Sequence, residues 1–524
     1  MELPLTPLEF ARRTRKLYPE REAVVDGDLR FTYEQFFTRC DRWSAGLQAL
    51  GVKQGDRVAY IAPNTHAQLE SFYAVPQIGA VLVPLNYRLT ADDFVYLINH
   101  SGSKIVCADS GYLAAVDSVR SQLPGVVAFV ALEGGTDMPG WLDYETLLGD
   151  VSAEFTQPEI QETDLLTINY TSGTTSRPKG VMITHRNAYM NVVGTLIHHP
   201  MSLADRFLWT LPMFHANGWT FVWIVTAAGA AHICLRKVEP VGIFQQIKQE
   251  NVSMLCAAPT VLISIANGPS ELTREARRGL RILTAGAPPA AATIERIEGE
   301  LGWIITQVYG LTETSPFITV CEPRPEHDGL ATAARSAIKA CQGVELLTSG
   351  ELRVVDEAGH EVPQDGETQG EIVVRGNVVM KGYYDDPEAT AEAMRDGWFH
   401  TGDAAVVHAN GYAEIRDRIK DVIISGGENI SSVEVEGVLL RHPAVQEVAI
   451  VGLAHERWGE APHAFVVLKA GAEASEAELR EFARAHLAHF KAPQGFTFVA
   501  ELPKTDTGKV QKYVLRGKPA IAKQ

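Results

Sequence analysis

Through residue 417, short apolar runs rich in β-branched residues alternate with segments of helical periodicity, and nothing else in the chain restricts its fold as strongly. RVAYIAP (57–63), KIVCAD (104–109), LLTINYT (165–171), RFLWTLP (206–212) and SMLCAAP (253–259) read as buried strands. FVYLINHSG (94–102) and EPVGIFQQIKQENV (239–252) read as helices. A strand that is apolar on both faces must be covered on both, so this alternation predicts α/β layers with largely parallel sheets. The pattern then changes. ELRVVDEAG, GEIVVRG, GYAEIRDR and DVIISGG are short and punctuated by turns, which predicts a β-rich subdomain between residues 345 and 418. From residue 421 the chain reads as a small α+β domain. Capping-box patterns at Ser431/Glu434 and Ser475/Glu478 open two helices, and VQEVAIVGL and HAFVVLK are strands. The expected division is a large domain over 1–417, a hinge at 418–420 and a small mobile domain over 421–524. The hinge lacks the Gly/Ser content of a long tether.

Charge and cysteine usage remove several functions. Among 524 residues, 47 are basic and 64 acidic, a net charge of −17. A general nucleic-acid binder needs the opposite balance. The 6 cysteines form no CxxC pair and no Cys/His spacing suited to zinc, so reduced, mostly buried thiols are expected. The first residues have no apolar signal-peptide core, and the last, AIAKQ, match neither a prenylation nor a peroxisomal signal. The apolar stretch at 219–231 contains Thr and Gly and is too short to span a bilayer. The resulting expectation is a cytoplasmic protein without a membrane span; oligomeric state is left open, a homodimer included.

The strongest chemical signal is YTSGTTSRPKG at residues 170–180, between two apolar strands. Gly and small hydroxyl residues let backbone N–H groups approach a polyphosphate, Ser and Thr add donors, and Lys179 adds a mobile positive charge. It is not the GxxxxGK[ST] loop, because the lysine comes six residues after Gly173 and is followed by Gly180. On composition alone a surface turn fits equally well.

The segment resembles the phosphate loop of the adenylate-forming superfamily, which comprises acyl-CoA synthetases, adenylation domains and beetle luciferases. The resemblance covers essentially the whole chain in order: YGLTE (309–313), TGD (401–403), DRIKD (417–421), GGEN (426–429) and PKTDTGK (503–509). One departure is Ser176, where the family usually has Gly; a stiffer loop is expected. The resemblance implies that Thr171, Ser172, Gly173, Thr174, Thr175 and Lys179 cradle the phosphates of ATP. It implies that Gly286, Ala287 and Pro288 line the adenine edge and that the Tyr309 ring stacks on adenine. Thr312 contacts the α-phosphate, and Glu313, with Thr174, holds Mg²⁺, a cation that takes hard oxygen ligands. Asp403 accepts from the ribose hydroxyls, since a carboxylate offers two oxygens to a diol. Arg418 adds a ribose contact, and Lys420 is the hinge residue. Lys509 reaches the carboxylate and α-phosphate during adenylation, where two anions must approach. Gly426, Gly427 and Glu428 belong to the loop that meets coenzyme A.

On the acid side, MFHANGW (213–219) resembles the segment bordering the carboxylate pocket. His215 is expected beside the acyl carboxylate as a positioning group. Trp219 matches a gating tryptophan of fatty acyl-CoA synthetases, with a fixed pocket floor as the other reading. The opposite flank, Val308, Gly310 and residues 315–317, is apolar and offers no Asp or Lys for an amino acid's α-amino group. The implied activity is an acid–CoA ligase (AMP-forming) that makes acyl-CoA through an acyl-adenylate, on medium-chain fatty acids, with ATP, Mg²⁺ and coenzyme A. The alternatives are an aryl-acid–CoA ligase, an acyl-AMP ligase loading a free carrier protein, a luciferase-type oxygenase, and a non-catalytic nucleotide-binding regulator. The last is disfavoured because both Glu313 and Lys509 are present.

Overall fold

The computed structural model describes residues 2–133, 138–171, 178–274, 277–286, 289, 291–425, 428–455, 458–504 and 510–517. Among them the strands form four sheets, of nine, eight, five and five strands. In the eight-stranded sheet Arg57–Ile61, Val81–Pro84 and Ser103–Ala108 run parallel. In the nine-stranded sheet Arg206–Leu208, Met254–Ala257, Arg281–Thr284 and Ile304–Gly310 do the same. Alternation of side chains sets the layering. Val58 and Tyr60 enter one apolar cluster, while Ala59 and Ile61 enter another. Met254 and Cys256 join Val58 and Tyr60 in the first cluster, while Leu255 and Ala257 face a third. The two large sheets therefore share one apolar layer, and each is covered on its far side, as parallel strands require. The helices Tyr33–Ala49, His66–Ala74 and Phe221–Ala228 supply Phe36, Phe37, Trp43, Phe72, Tyr73 and Trp223 to the shared layer. The apolar stretch after Trp219 is thus a buried helix, stopped by Gly229 at φ 67°. No described helix is long and apolar enough to cross a membrane.

The strands that position the site are numbered here in chain order: β1 (Leu165–Tyr170), β2 (Gly180–Thr184), β3 (Ile304–Gly310), β4 (Phe317–Val320), β5 (Gly382–Tyr383), β6 (Trp398–Val407) and β7 (Ala413–Arg418). β1 and β2 are an antiparallel hairpin, so the phosphate-loop segment is its connection. β6 and β7 belong to a separate sheet with Glu351–Val355 and Gly370–Arg375. The expected β-rich subdomain is divided, however: β5 leaves it and pairs with β2 on the edge of the eight-stranded sheet. The run at 206–212 is also a shorter strand than expected. It ends at Leu208 because the Thr210 N–H turns back to the Leu208 carbonyl at 2.9 Å.

The small C-terminal domain is built on the hairpin Val445–His455/Gly459–Leu468, with Ser432–Leu439 and Glu476–His486 contributing to its core. Ser431 and Ser475 cap these helices by accepting from the N–H of Glu434 at 3.1 Å and Glu478 at 3.2 Å. The glutamates do not complete the expected boxes. Glu434 turns to Lys491 at 2.8 Å and Glu478 faces His442 at 3.6 Å, so tertiary charge partners win over the local bond. All six cysteines are free and five are buried. Burial pushes their thiols up, those of Cys321 and Cys341 to about 12. Tertiary contact brings Cys341, His408 and Glu414 together, but His408 Nε2 is hydrogen-bonded to Glu414 at 2.6 Å and Arg416 takes the other Glu414 oxygen at 3.1 Å.

Buried histidines give the fold a defined response to acid. The Trp209 Nε1–H donates to His232 Nδ1 at 3.2 Å, so Nε2–H donates to Thr226 Oγ1 at 3.1 Å and the ring is neutral. Burial holds His232 down to about 3, and His185 and His199 to about 4. The unfolded chain takes up these protons below the ordinary value of about 6.5, whereas the folded chain does not, so stability present above 6.5 is lost as pH falls toward 4. His66 works in the opposite direction: despite its burial, Asp26 and Glu145 raise it to about 9, and its contribution is lost only above 6.5. The urea midpoint is therefore expected to fall steadily from pH 6.5 to 4; a flat profile over that window would contradict the neutral burial of these rings.

Candidate active site

Sheet register brings together the residues expected at the nucleotide end. Asp403 on β6 is the direct partner of Arg418 on β7, and Arg418 Nε meets Asp403 Oδ1 at 2.7 Å. From the end of β3, the Tyr309 hydroxyl donates to Asp403 Oδ2 at 2.6 Å. Burial, then the Asp403 carboxylate, push the Tyr309 hydroxyl well up, while Asp403 raises Arg418. Three residues predicted separately are thus one cluster, and Asp403 is only 3% exposed. A carboxylate has roughly four acceptor positions, so these two bonds leave capacity for a diol.

Gly310 has a backbone function. It pairs with Phe317 across the turn between β3 and β4, and a Cβ there would lie 1.8 Å from the Pro316 carbonyl oxygen. The close approach of the chain demands glycine, whereas Val308 joins Trp219 and Phe317 in the shared apolar layer. Thr312 and Glu313 follow on the short 3₁₀ turn Thr312–Thr314. The Tyr383 hydroxyl donates to Glu313 Oε1 at 2.9 Å, and the ring of Tyr383 lies beneath Lys179 Nζ, 4.8 Å from its centroid. Tyr383 therefore joins the ammonium of the phosphate-loop segment to the proposed metal-binding carboxylate, a cation–π contact on one side and a hydrogen bond on the other. Burial and Glu313 push its hydroxyl far above the ordinary range. The hard carboxylate oxygens of Glu313 suit magnesium. Sequence reasoning missed Tyr383; its only signal was a Gly-Tyr pair in KGYYDD, and the adjacent Tyr384 packs on His100 instead.

At the base of the expected phosphate loop Tyr170 pairs with Gly180, and the Thr171 N–H donates to the Lys179 carbonyl at 3.0 Å. Gly286, at φ 94°, needs glycine for its backbone conformation. Ser172, Gly173, Thr174, Thr175, Ala287, Pro288, Gly426, Gly427 and Lys509 lie outside the described residues. For Lys420 and Glu428 the backbone alone is described, in the turn Ile419–Asp421 and the strand Glu428–Ile430.

Of the residues expected on the acid side, His215 is half-buried with its ring edge-on to Phe214. Trp219 is 4% exposed, and its ring lies 5.8 Å from that of Phe317 at 68°. Residues 216–220 all have positive φ. A non-glycine residue in that region costs about 1–2 kcal/mol, so this segment is held by its surroundings. Asn64, another residue the sequence did not reveal, anchors the approach to it. Its amide donates to the carbonyls of Trp209 at 2.9 Å and Leu211 at 3.0 Å, and its oxygen accepts from the Met213 N–H at 2.8 Å.

A family model described as AMP-binding enzyme matches residues 11–384, and one described as AMP-binding enzyme C-terminal domain matches 434–509. The chain belongs to the AMP-binding enzyme family. This AMP-binding enzyme is 41% identical over 519 residues to 4-hydroxybutyrate–CoA ligase 2 of Metallosphaera sedula, covering 98% of this chain and 94% of the relative. It is 38% identical over 535 residues to the peroxisomal trans-cinnamate:CoA ligase of Petunia hybrida, again covering 98% and 94%. Among solved structures, ATP-bound MatB from Rhodopseudomonas palustris superposes with a TM-score of 0.84 at 29% identity, covering 98% of both chains. The o-succinylbenzoate CoA synthetase of Bacillus subtilis with its acyl-adenylate gives 0.82 at 28% identity, covering 97% of both. The expected α/β class, with a large N-terminal part and a small C-terminal domain, agrees with these structures.

Tyr383→Phe keeps the ring beneath Lys179 and removes the hydroxyl at Glu313. A hydrogen bond to a charged group is worth about 1.5–3 kcal/mol, so adenylation should slow about 10- to 100-fold and need more magnesium. Pyrophosphate release measured against magnesium concentration reads both effects; an unchanged rate and midpoint would show that Tyr383 does not orient Glu313.

Proposed function

We infer that this AMP-binding enzyme is an ATP-dependent acid–CoA ligase. In the first step a carboxylate oxygen attacks the α-phosphorus of ATP, the bond to pyrophosphate breaks, and an acyl-adenylate forms. In the second the sulfur of coenzyme A attacks the acyl carbonyl, a thioester forms, and AMP leaves with the electrons of the acyl–oxygen bond. The observation that carries the reading is the adjacency of two clusters on one turn. Tyr309, with Asp403 and Arg418, suits an adenosine, and Glu313, four residues later, sits with Tyr383 and Lys179, which suit its phosphates.

In this reading the Tyr309 ring stacks on adenine and Asp403 and Arg418 bind the ribose. Lys179, Thr171 and the hydroxyls of Ser172, Thr174 and Thr175 bind phosphate oxygens, with Gly173 letting the backbone come close, and Thr312 contacts the α-phosphate. Magnesium held by Glu313 and Thr174 would offset phosphate charge. Lys509 supplies positive charge where carboxylate and α-phosphate meet. The small domain turns about residues 418–420 between steps, bringing the 426–428 segment to coenzyme A.

For the acid, the resemblance to fatty acyl-CoA synthetases points to an aliphatic tail of medium length. The buried Trp219 packed on Phe317, and relatives named for 4-hydroxybutyrate and 2-methylpropanoate, draw the range toward the short end. An aryl acid is the second reading, favoured by the relatives named for cinnamate and benzoate. Cytoplasmic residence is retained as a proposal, although several relatives are named as peroxisomal. AMP release from a panel running from acetate to palmitate, with benzoate and cinnamate, separates the acid readings. A CoA-dependent burst of AMP on short and medium aliphatic acids is expected. Turnover on aryl acids alone would overturn the aliphatic assignment, and AMP release indifferent to CoA would point to a carrier-protein acceptor.

Lys509→Ala separates the two steps. Loss of one positioned electrostatic contact slows a reaction about 10²–10³-fold, so pyrophosphate release should fall by that much. Thioester formation from supplied acyl-adenylate should change little. Equal damage to both steps would overturn the assignment of Lys509 to adenylation.

A further inference from the structure

Ala216, Asn217, Gly218, Trp219 and Thr220 have φ of 36°, 50°, 53°, 51° and 67°. Five successive residues thus wind a left-handed turn, with ψ of 52° at Asn217 and 42° at Gly218. Gly218 alone lacks a Cβ, and glycine is needed there twice over, because a Cβ would also lie 2.5 Å from the Trp209 ring. L residues do not hold such a run on their own propensity. The turn carries His215 at its start and Trp219 near its end, the two residues that face the acid in the ligase reading.

What holds the turn is a closed set of buried hydrogen bonds. Asn217 is 1% exposed. Its Nδ2 donates to Thr167 Oγ1 at 2.8 Å, and its Oδ1 accepts from Asn169 Nδ2 at 3.2 Å. The Thr167 hydroxyl donates to Asn169 Oδ1 at 2.7 Å, and Asn169 Nδ2 also reaches the Phe214 carbonyl at 3.1 Å. Thr167 and Asn169 are two residues apart on β1, so they share one face of that strand. β1 runs directly into the phosphate-loop segment. The backbone that carries Trp219 is therefore tied to the strand that leads to the phosphates.

We propose that Asn217 is a positioning residue that sets acid selectivity: with Thr167 and Asn169 it locks the left-handed turn and fixes the Trp219 ring against Phe317 as an immobile wall of the acyl site. The proposal rests on the ligase reading. Its physical basis is that a side chain's direction follows its own φ and ψ. Without the lock, the turn relaxes toward right-handed or extended backbone and the indole swings off Phe317. The wall then retreats and larger tails enter. A gating tryptophan is the contrary arrangement, since a gate needs a ring free to rotate, whereas this one sits in the core on a clamped backbone.

Two substitutions at one position separate the clamp from the backbone. Asn217→Gly adopts the left-handed conformation freely and lacks the clamp; Asn217→Ala lacks both. The readout is binding of non-hydrolysable acyl-sulfamoyl-adenosines of increasing tail length, measured by calorimetry, together with kcat/KM on the matching acids. Asn217→Gly is expected to lose about tenfold in discrimination between the preferred tail and one two carbons longer, the scale of a methylene or two in an apolar pocket. The change should fall in the KM for acid, with the KM for ATP within about twofold of wild type. If Asn217→Gly discriminates as wild type does while Asn217→Ala does not, only backbone conformation matters and the proposal is overturned. Thr167→Val, on the rigid strand and away from the turn, tests the same clamp if the glycine variant fails to fold; wild-type discrimination there also overturns it. The adenosine analogues bind without turnover, so failure of the clamp is distinguishable from failure of the ligase reading, which shows as no acyl-CoA from any acid in wild type.

Discussion

Asp403 is a carboxylate almost wholly removed from water, and a buried charge is tolerated only with partners. Its partners are Tyr309 from the nine-stranded sheet and Arg418 from the last residue of β7. This one group therefore fastens the β-rich sheet to the end of β3, where the turn bearing Thr312 and Glu313 begins. The neighbouring residue on β7 points the other way, as successive strand residues do. Asp417 accepts from the N–H of Ser432 at 2.8 Å and from its hydroxyl at 2.5 Å, at the start of a helix of the small domain. Two adjacent side chains thus face in opposite directions, one toward Asp403 and Tyr309, the cluster proposed for the ribose, and one toward the small C-terminal domain. Lys512, paired with Glu436 at 2.8 Å and bonded to Ser432, and Arg516, paired with Asp421 at 2.6 Å, tie the C-terminal segment to the same place. The segment that follows Lys509 is anchored where the expected hinge lies.

The shared apolar layer gathers the residues proposed for the acid side. Because both large sheets face it, residues distant in sequence such as Cys256, Val308, Trp219 and Phe317 become neighbours in one continuous core. In the proposed reading an acyl tail that reaches Trp219 meets the interior of the protein rather than a groove on its surface. In that reading the rigidity of a close-packed interior would supply selectivity, since a well-packed wall does not yield to an extra methylene.

Much of this was legible before the structure. The strands at 57–63, 104–109, 165–171 and 253–259 appeared where expected because an apolar run flanked by turns has few alternatives. Tyr309, Asp403 and Arg418, inferred from separate motifs, came together. What was hidden depends on long-range partners. Ala, Asn, Trp and Thr do not announce a left-handed turn, and the bonds that impose one come from Thr167 and Asn169, some fifty residues earlier. Tyr383 gained its place because β5 left its own subdomain for an edge about two hundred residues earlier, which no local pattern encodes. Gly310, expected to line the acid pocket, also has a steric reason to be glycine that only the approach of Pro316 reveals.

The burial of the cysteines acquires a chemical meaning in this setting. An acyl-adenylate is a mixed anhydride, reactive toward any thiolate, and the intended acceptor is itself a thiol. An enzyme that offered a thiolate of its own near that intermediate would acylate itself. Cys256 shares the apolar layer with Val308 and Trp219, yet burial holds its sulfur protonated, and a protonated thiol is a poor nucleophile. Burying that thiol in the core leaves the externally supplied thiol as the competent one, so the packing of the interior also protects the catalyst from its own intermediate.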